Sequence, residues 1–271
     1  TFIMQIEKET YDPYSPAEIA SLVEENGVKK ANVKLMPMLM LGILGGAYIA
    51  IGGMFYTLAI TDAQMGLGPT RILGGIVFSL GLIMVIVGGA DLFTGNTMLT
   101  MAWVQKRISL RLLLKNWVVI YLGNFIGSLF IATLVYLSGS LRMGNGAVIE
   151  TAIHIAEGKT SLSLTEIFVR GILCNILVCL GVWLSLAARN ISGKCIAIIF
   201  PVSAFVAMGF EHCVANMYLI PLGMMLGAPV GLGDFFRNLV PATLGNIIGG
   251  GVLVALVYWI IYIKPYNKAK V

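Results

Sequence analysis

Six apolar stretches govern what this chain can fold into: Leu35–Ile60, 72–104, 112–138, 164–188, 195–226 and 239–263. Each reaches or exceeds the ~20 residues a helix needs to cross the hydrocarbon core of a bilayer. Only 11% of residues are charged and 58% are hydrophobic, whereas a soluble domain carries about a quarter charged residues. These features predict an all-α membrane protein with six transmembrane helices. A polar tail fills 1–34, the membrane domain 35–263 and a short tail 264–271. The polar, charged character of 1–34 does not fit a cleavable signal peptide, and Thr1 in place of Met suggests a processed start.

The net charge of +5 is not a nucleic-acid signal, because the basic residues gather at the ends of the spans. Of the 18 Lys and Arg, only Arg71, Arg142, Lys159, Arg170 and Arg237 fall in the loops of one side. The others lie in the two tails and the loops of the opposite side. The positive-inside rule then places both termini in the cytoplasm, in a multi-pass protein of the cell inner (plasma) membrane. Cys174, Cys179, Cys195 and Cys213 form no Cys-x-x-Cys pair and read as small buried hydrophobes. No metal site or cofactor is expected.

The second and fifth stretches are too long for one simple span, and each holds polar residues. Gly89-Ala90-Asp91-Leu92-Phe93-Thr94-Gly95-Asn96 matches Gly209-Phe210-Glu211-His212-Cys213-Val214-Ala215-Asn216, 120 residues later. A second match follows each one: Leu122-Gly123-Asn124-Phe125-Ile126-Gly127 pairs with Leu244-Gly245-Asn246-Ile247-Ile248-Gly249. Each half would then hold three spans. Three is odd, so the halves would enter the membrane from opposite sides as an inverted repeat. Helices broken at matching positions mark a transport site near the midplane.

Irregular backbone at that depth must line a cavity or be buried in protein. A restarted helix also presents N–H groups suited to an anion. Asp91 and Glu211 are expected to structure the two loops by accepting hydrogen bonds from loop backbone. His212 is the candidate for polar contact with substrate, since an imidazole titrates near neutrality. Asn175 and Asn246 are amides in apolar helices that could serve as neutral donors. Phe78, Leu82, Leu92, Phe93, Val178 and Phe205 could form two apolar constrictions. His154 and Lys159 fall in a long outer loop.

Before the first span, Ser15-Pro16-Ala17-Glu18 is a capping-box pattern with proline at the first helical position. Ile19, Leu22 and Val23 share a face, and Gly27 is expected to stop this helix. It would rest on the membrane surface or body of the protein, or act as a movable lid.

These residues resemble the formate/nitrite transporter family of formate, nitrite and hydrosulfide channels. The likeness rests on Gly89–Gly95, Lys115-Asn116-Trp117 with Gly123-Asn124, Gly209–His212 through Ala215-Asn216-Met217, and Pro241 with 245–251. It covers the chain from Ser15 to Lys264. The resemblance implies an aquaporin-like fold, a homopentamer with one pore per protomer, and pH-dependent passage of a small monovalent anion. By motif, His212 resembles the family's central histidine, Thr94 the threonine bonded to it, and Asn175 and Asn246 its pore asparagines. Lys159 resembles the outer lysine that draws anions in, and the six apolar residues match the constrictions. The helix at Ser15–Asn26 resembles a pH-sensitive gate. Formate is favoured, with hydrosulfide and nitrite close behind, because Gly95-Asn96 also resembles those branches.

Rival readings fare worse. An aquaporin would carry Asn-Pro-Ala where this chain has Asn96-Thr97-Met98 and Asn216-Met217-Tyr218. An ammonium channel would want paired pore histidines. An intramembrane aspartyl protease could use Gly231-Leu232-Gly233-Asp234 with Tyr11-Asp12, but those acids are expected on opposite sides of the membrane. The chain is not read as an enzyme.

Overall fold

The computed structural model describes residues 12–265. The remainder of the two expected tails, with Thr1 and Tyr11, lies outside the described residues. Among the described residues all regular structure is helical. The helices are α1 (Pro16–Ala31), α2 (Leu35–Ile60), α3 (Leu67–Gly88), α4 (Phe93–Asn96), α5 (Thr100–Val104), α6 (Leu110–Ser138), α7 (Ala147–Thr160), α8 (Leu164–Ala187), α9 (Ile191–Ala207), α10 (Cys213–Met225) and α11 (Leu232–Ile247). The chain continues beyond α11 as a wider helix, through Ile248–Leu256 and Trp259–Ile263. Five helical runs are long and apolar enough to span a membrane, and Ile191–Ala207 and Cys213–Met225 are shorter apolar helices. Helix is the form such runs must take, because lipid offers no partner to a free N–H or C=O. Large apolar side chains such as Leu122, Phe130 and Phe200 stay exposed on the outside of the bundle, as lipid-facing residues would.

Small residues let the helices approach closely. Gly42 of α2 faces Gly123 of α6, where an added Cβ would sit 3.2 Å from the Gly123 Cα. Gly171 of α8 meets α11 in the same way, 3.3 Å from the Gly245 Cα. Such contacts are how helices associate where no hydrophobic force separates protein from lipid.

The two long apolar stretches do not form continuous helices. α3 ends at Gly88, and Gly89 (φ +81°) turns the chain so that the Ala90 N–H bonds the Val85 carbonyl at 2.9 Å. α9 ends at Ala207, and Gly209 (φ +70°) does the same, with the Phe210 N–H on the Phe205 carbonyl at 3.0 Å. Positive φ is the reason both positions are glycine.

Two expectations need correcting. α1 does not stop at Gly27 but runs to Ala31. The missing side chain serves packing instead: a Cβ there would lie 3.1 Å from the Ala102 Cβ, so Gly27 lets α1 seat against α5. The long outer loop is also not a plain loop. It contains α7, whose Val148, Ala152 and Ala156 are buried, and α7 packs on α10. These two helices define the ends of the molecule, the α1 end and the α7 end.

The protease reading fails on position. The Arg189 guanidinium grips the Asp12 carbonyl just past the end of α8. Asp234 caps α11, accepting the Gly231 N–H at 3.0 Å, and neighbouring Arg237 bonds Thr160 and Leu162 just before α8 begins. The 24 residues of α8 hold those ends ~36 Å apart at 1.5 Å per residue.

Candidate functional site

The site is built around the two junctions, 89–92 and 208–212, and each is wired in the same way. At the first, Asn124 of α6 donates to the carbonyls of Gly42 (2.7 Å) and Asp91 (3.0 Å) and accepts from the Phe93 N–H (2.9 Å). At the second, Asn246 of α11 donates to the carbonyls of Gly171 (2.7 Å) and Glu211 (2.9 Å) and accepts from the Cys213 N–H (2.9 Å). One amide thus satisfies an N–H and a carbonyl of each interruption and ties them to the carbonyl of a glycine inside the neighbouring helix.

The carboxylates are held in parallel fashion. Asp91 pairs with Lys30 of α1 at 2.7 Å, and Glu211 pairs with Lys159 of α7 at 3.0 Å. Asn96 donates to Asn116 (3.0 Å), and Asn116 in turn donates to the Lys30 carbonyl (3.3 Å). Asn216 donates to Asn238 (2.7 Å), and Asn238 to the Lys159 carbonyl (2.9 Å). Asn216 and Asn238 also donate to Glu211, at 2.7 and 3.1 Å. Asp91 and Glu211 were expected to take loop N–H donors. The Phe93 and Cys213 N–H groups go to Asn124 and Asn246 instead, the Asp91 and Glu211 N–H groups go to the Leu41 and Arg170 carbonyls, and each acid takes a lysine, Glu211 two amides as well. α1 and α7 are therefore counterparts, each delivering one lysine to one carboxylate.

Thr94 and His212 meet in the buried centre. The Thr94 Oγ1 lies 3.0 Å from the His212 Nε2. The His212 Nδ1 accepts the Ala215 N–H at 3.0 Å, capping α10. An Nδ1 that accepts carries no proton, so in the neutral ring the hydrogen is on Nε2 and points at the threonine oxygen. The Thr94 hydroxyl hydrogen then has no other acceptor among the described residues, and it is the free donor of the pair.

Cavities open on either side of this pair. Towards the α7 end, a cavity of about 70 Å³ is lined by His212, Lys159, Arg71, Tyr56, Phe78 and Phe205 among others. Phe205 stacks on the His212 ring at 5.8 Å and meets Phe78 edge-on at 6.0 Å. Towards the α1 end, a larger cavity of about 430 Å³ is lined by Leu82, Leu92, Gly95, Asp91, Lys30 and Lys194 among others.

The structure thus gathers His212, Lys159, Phe78 and Phe205 at one cavity and Leu82 and Leu92 at the other, with Thr94 bonded to His212 and lining neither. It assigns the others differently. Phe93 turns into the bundle, its ring edge-on to Trp117 (6.2 Å) and Tyr121 (4.9 Å), and it lines neither cavity. Val178 is buried in the core. Asn246 has both N–H groups committed to backbone, so it is a brace and not a free donor. Asn175 donates to the carbonyls of Thr94 (3.1 Å) and Asn246 (2.6 Å) and to the Thr97 hydroxyl (3.1 Å). It ties the two junctions together.

Lys30 and Asn238 were not singled out from the sequence, and Asn116 and Asn124 entered only as motif residues with no role assigned. The signal was present in part: Asn116 and Asn238 recur at the same separation as Asn124 and Asn246. Lys30 gives none, because it sits in the polar segment before the first span.

The protein-family model described as "Formate/nitrite transporter" matches residues 17–260. The formate channel FocA of Escherichia coli (strain K12) is 39% identical over 274 residues, covering 94% of this chain and 96% of that one. The uncharacterized transporter YrhG of Bacillus subtilis (strain 168) is 42% identical over 259 residues, covering 94% and 96%. A solved structure of a pentameric formate channel with formate bound is 36% identical, covers 84% of this chain and 98% of that chain, and superposes with a TM-score of 0.77. The matched proteins are channels and transporters and not enzymes. A family match over nearly the whole chain, joined to an all-helical fold of membrane-spanning runs, identifies a multi-pass membrane protein that belongs to the formate/nitrite transporter family.

Proposed function

We propose that this chain is a pH-dependent channel for small monovalent anions of weak acids, with formate as its substrate. The observation that carries the reading is the Thr94–His212 pair, buried between two cavities with one hydroxyl hydrogen uncommitted. A formate ion arriving from either side would find there a neutral donor in an apolar surround. A charge-assisted hydrogen bond of this kind contributes about 1.5–3 kcal/mol, enough to replace part of a hydration shell without trapping the ion. Phe78 and Phe205 form the constriction on one side, and Leu82 and Leu92 on the other, with Val178 packed behind. Lys159 lines the first cavity and offers its ammonium at short range. Asn175 and Asn246 position the pair, and Asp91 and Glu211 shape the loops.

The architecture we infer is six spans in two inverted three-helix repeats, with the second and fifth helices broken at Gly89 and Gly209. The shared amide and lysine wiring of the two junctions supports it. Residues 1–34 form a cytoplasmic tail whose α1 gates the mouth, residues 35–263 the channel and residues 264–271 a second cytoplasmic tail, in the cell inner (plasma) membrane. Like the solved pentameric relative, the protein would assemble as a homopentamer. Gly95-Asn96 does not argue for the hydrosulfide or nitrite branch, because Asn96 bonds Lys30 and Asn116 as a structural counterpart of Asn216.

The test is uptake of formate, nitrite and hydrosulfide into proteoliposomes side by side, at neutral and acidic pH. Formate should move several-fold faster than the others and respond to pH. Equal movement of all three would replace the formate reading with a general small-anion pore. No movement by folded oligomer would sink the channel reading.

A further inference from the structure

Arg71 and Lys159 are the charged residues that line the cavity at the α7 end, and Arg170 and Arg237 lie close by. Lys159 is paired with Glu211 at 3.0 Å and is only 17% exposed. Arg170 reaches Glu166 at 3.6 Å and also bonds the Gly209 carbonyl at 3.4 Å. Arg237 is turned onto the carbonyls of Thr160 and Leu162 and does not line the cavity. That leaves Arg71, at the start of α3. It is exposed, it lines the same cavity as His212, and it has no carboxylate within 4 Å among the described residues. Its one hydrogen bond, to the Ala207 carbonyl, is long at 3.4 Å.

We infer that Arg71 is the anion-collecting charge of this mouth, setting how readily a small anion enters the cavity above His212. This rests on the channel reading and extends it. The Lys159–Glu211 pair is neutral as a unit and exerts little field at a distance. Arg71 is an uncancelled unit charge on a rim whose walls are apolar rings, Tyr56, Phe78 and Phe205, which focus its field into the opening. At the α1 end the corresponding cation on α9 is Lys194, within one helical turn of the equivalent position. There Lys29 also lines the cavity without a carboxylate partner among the described residues, so the single-charge effect is sharpest for Arg71.

The experiment is initial-rate formate uptake into proteoliposomes carrying full-length protein, as a function of formate concentration, at low and high ionic strength. Wild type is compared with Arg71→Gln, Arg71→Met and Arg71→Lys. At low ionic strength the neutral variants should raise the half-saturating concentration about three- to tenfold with maximal flux unchanged, since the charge acts on encounter. The gap should close at high salt, where the Debye length falls to about 3 Å at 1 M. Arg71→Lys should behave as wild type. A half-saturating concentration unchanged in both neutral variants overturns the inference. So does a loss of maximal flux that ignores salt and is not rescued by lysine, which would mark Arg71 as a brace on Ala207. Failure of wild type to move formate would instead defeat the channel reading itself.

Discussion

The Thr94 hydroxyl lies 3.0 Å from the His212 Nε2, while the opposite nitrogen of that ring caps α10 by accepting the Ala215 N–H. One imidazole therefore performs two tasks. It begins a helix, and it orients a hydroxyl that no other group engages among the described residues. The two tasks are separable by substitution. Asparagine is a good N-cap but is too short to reach Thr94. His212→Asn should keep the oligomer's thermal unfolding within a few degrees of wild type while lowering formate flux about tenfold. His212→Ala should lose both. Thermal unfolding and uptake on the same preparations would check this.

The amides that close the junctions are a stability matter. Asn246→Leu would leave the Cys213 N–H and the Glu211 carbonyl without partners and take the side-chain donor from the Gly171 carbonyl inside α8. Each buried orphan costs about 1–3 kcal/mol. A marked fall in thermal midpoint, or failure to assemble, is expected. Asn124→Leu should do the same at the other junction, and a variant that stays fully stable would show the bracing account to be wrong there.

The Lys159–Glu211 pair gives a sharper test. Removing one partner of a buried pair leaves an uncompensated charge and costs about 3–5 kcal/mol, whereas removing both is often nearly neutral. Lys159→Met should therefore be strongly destabilising, because Glu211 is 3% exposed. The double variant Lys159→Met/Glu211→Gln should recover most of that loss, since a glutamine can still accept from Asn216 and Asn238. A double-mutant cycle read by thermal unfolding measures the coupling, and additive losses would contradict it.

Acid should loosen the start of α1. The Ser15 hydroxyl, and then the Ser15 N–H, bonds the Glu18 carboxylate at 2.7 Å and holds it below the usual carboxylate range. A lowered folded value means that this contribution is whole above the ordinary carboxylate range and is lost as pH falls through the folded value. Amide hydrogen exchange at the first turn of α1 should accelerate on acidification. Ser15→Ala should be fast at every pH, with a cap loss of about 1 kcal/mol. Exchange that does not change with pH would contradict the role of this box.

Much of this was legible in the chain. Spans were readable because lipid permits so little besides helix. The interruptions were readable because a glycine with positive φ, a buried acid and a restarted helix leave a repeated signature at Gly89–Asn96 and Gly209–Asn216. Boundaries were less so. α3 begins at Leu67 and α11 at Leu232, earlier than hydropathy indicated, because Arg71 and Arg237 sit in their second turns with their guanidinium groups on backbone carbonyls. Partners across the fold were hardest to read. Nothing local to Asp91 names Lys30, and nothing near Phe93 says that its ring packs on Trp117 and Tyr121. Periodicity gives the face of a helix, but the neighbour comes from tertiary assembly. Gly27 shows the same limit, since a residue that ends helices elsewhere here permits a close helix crossing.

The central claim is that the Thr94 hydroxyl, oriented by His212, is the donor that passes the anion. It is tested most directly by initial-rate formate uptake into proteoliposomes with Thr94→Ser and Thr94→Val beside wild type. Serine keeps the hydroxyl, and valine keeps the shape without it. The account predicts near wild-type flux for serine and a loss of about tenfold or more for valine, the scale of one charge-assisted hydrogen bond. Equal flux through both variants, in oligomers of unchanged stability, would contradict it.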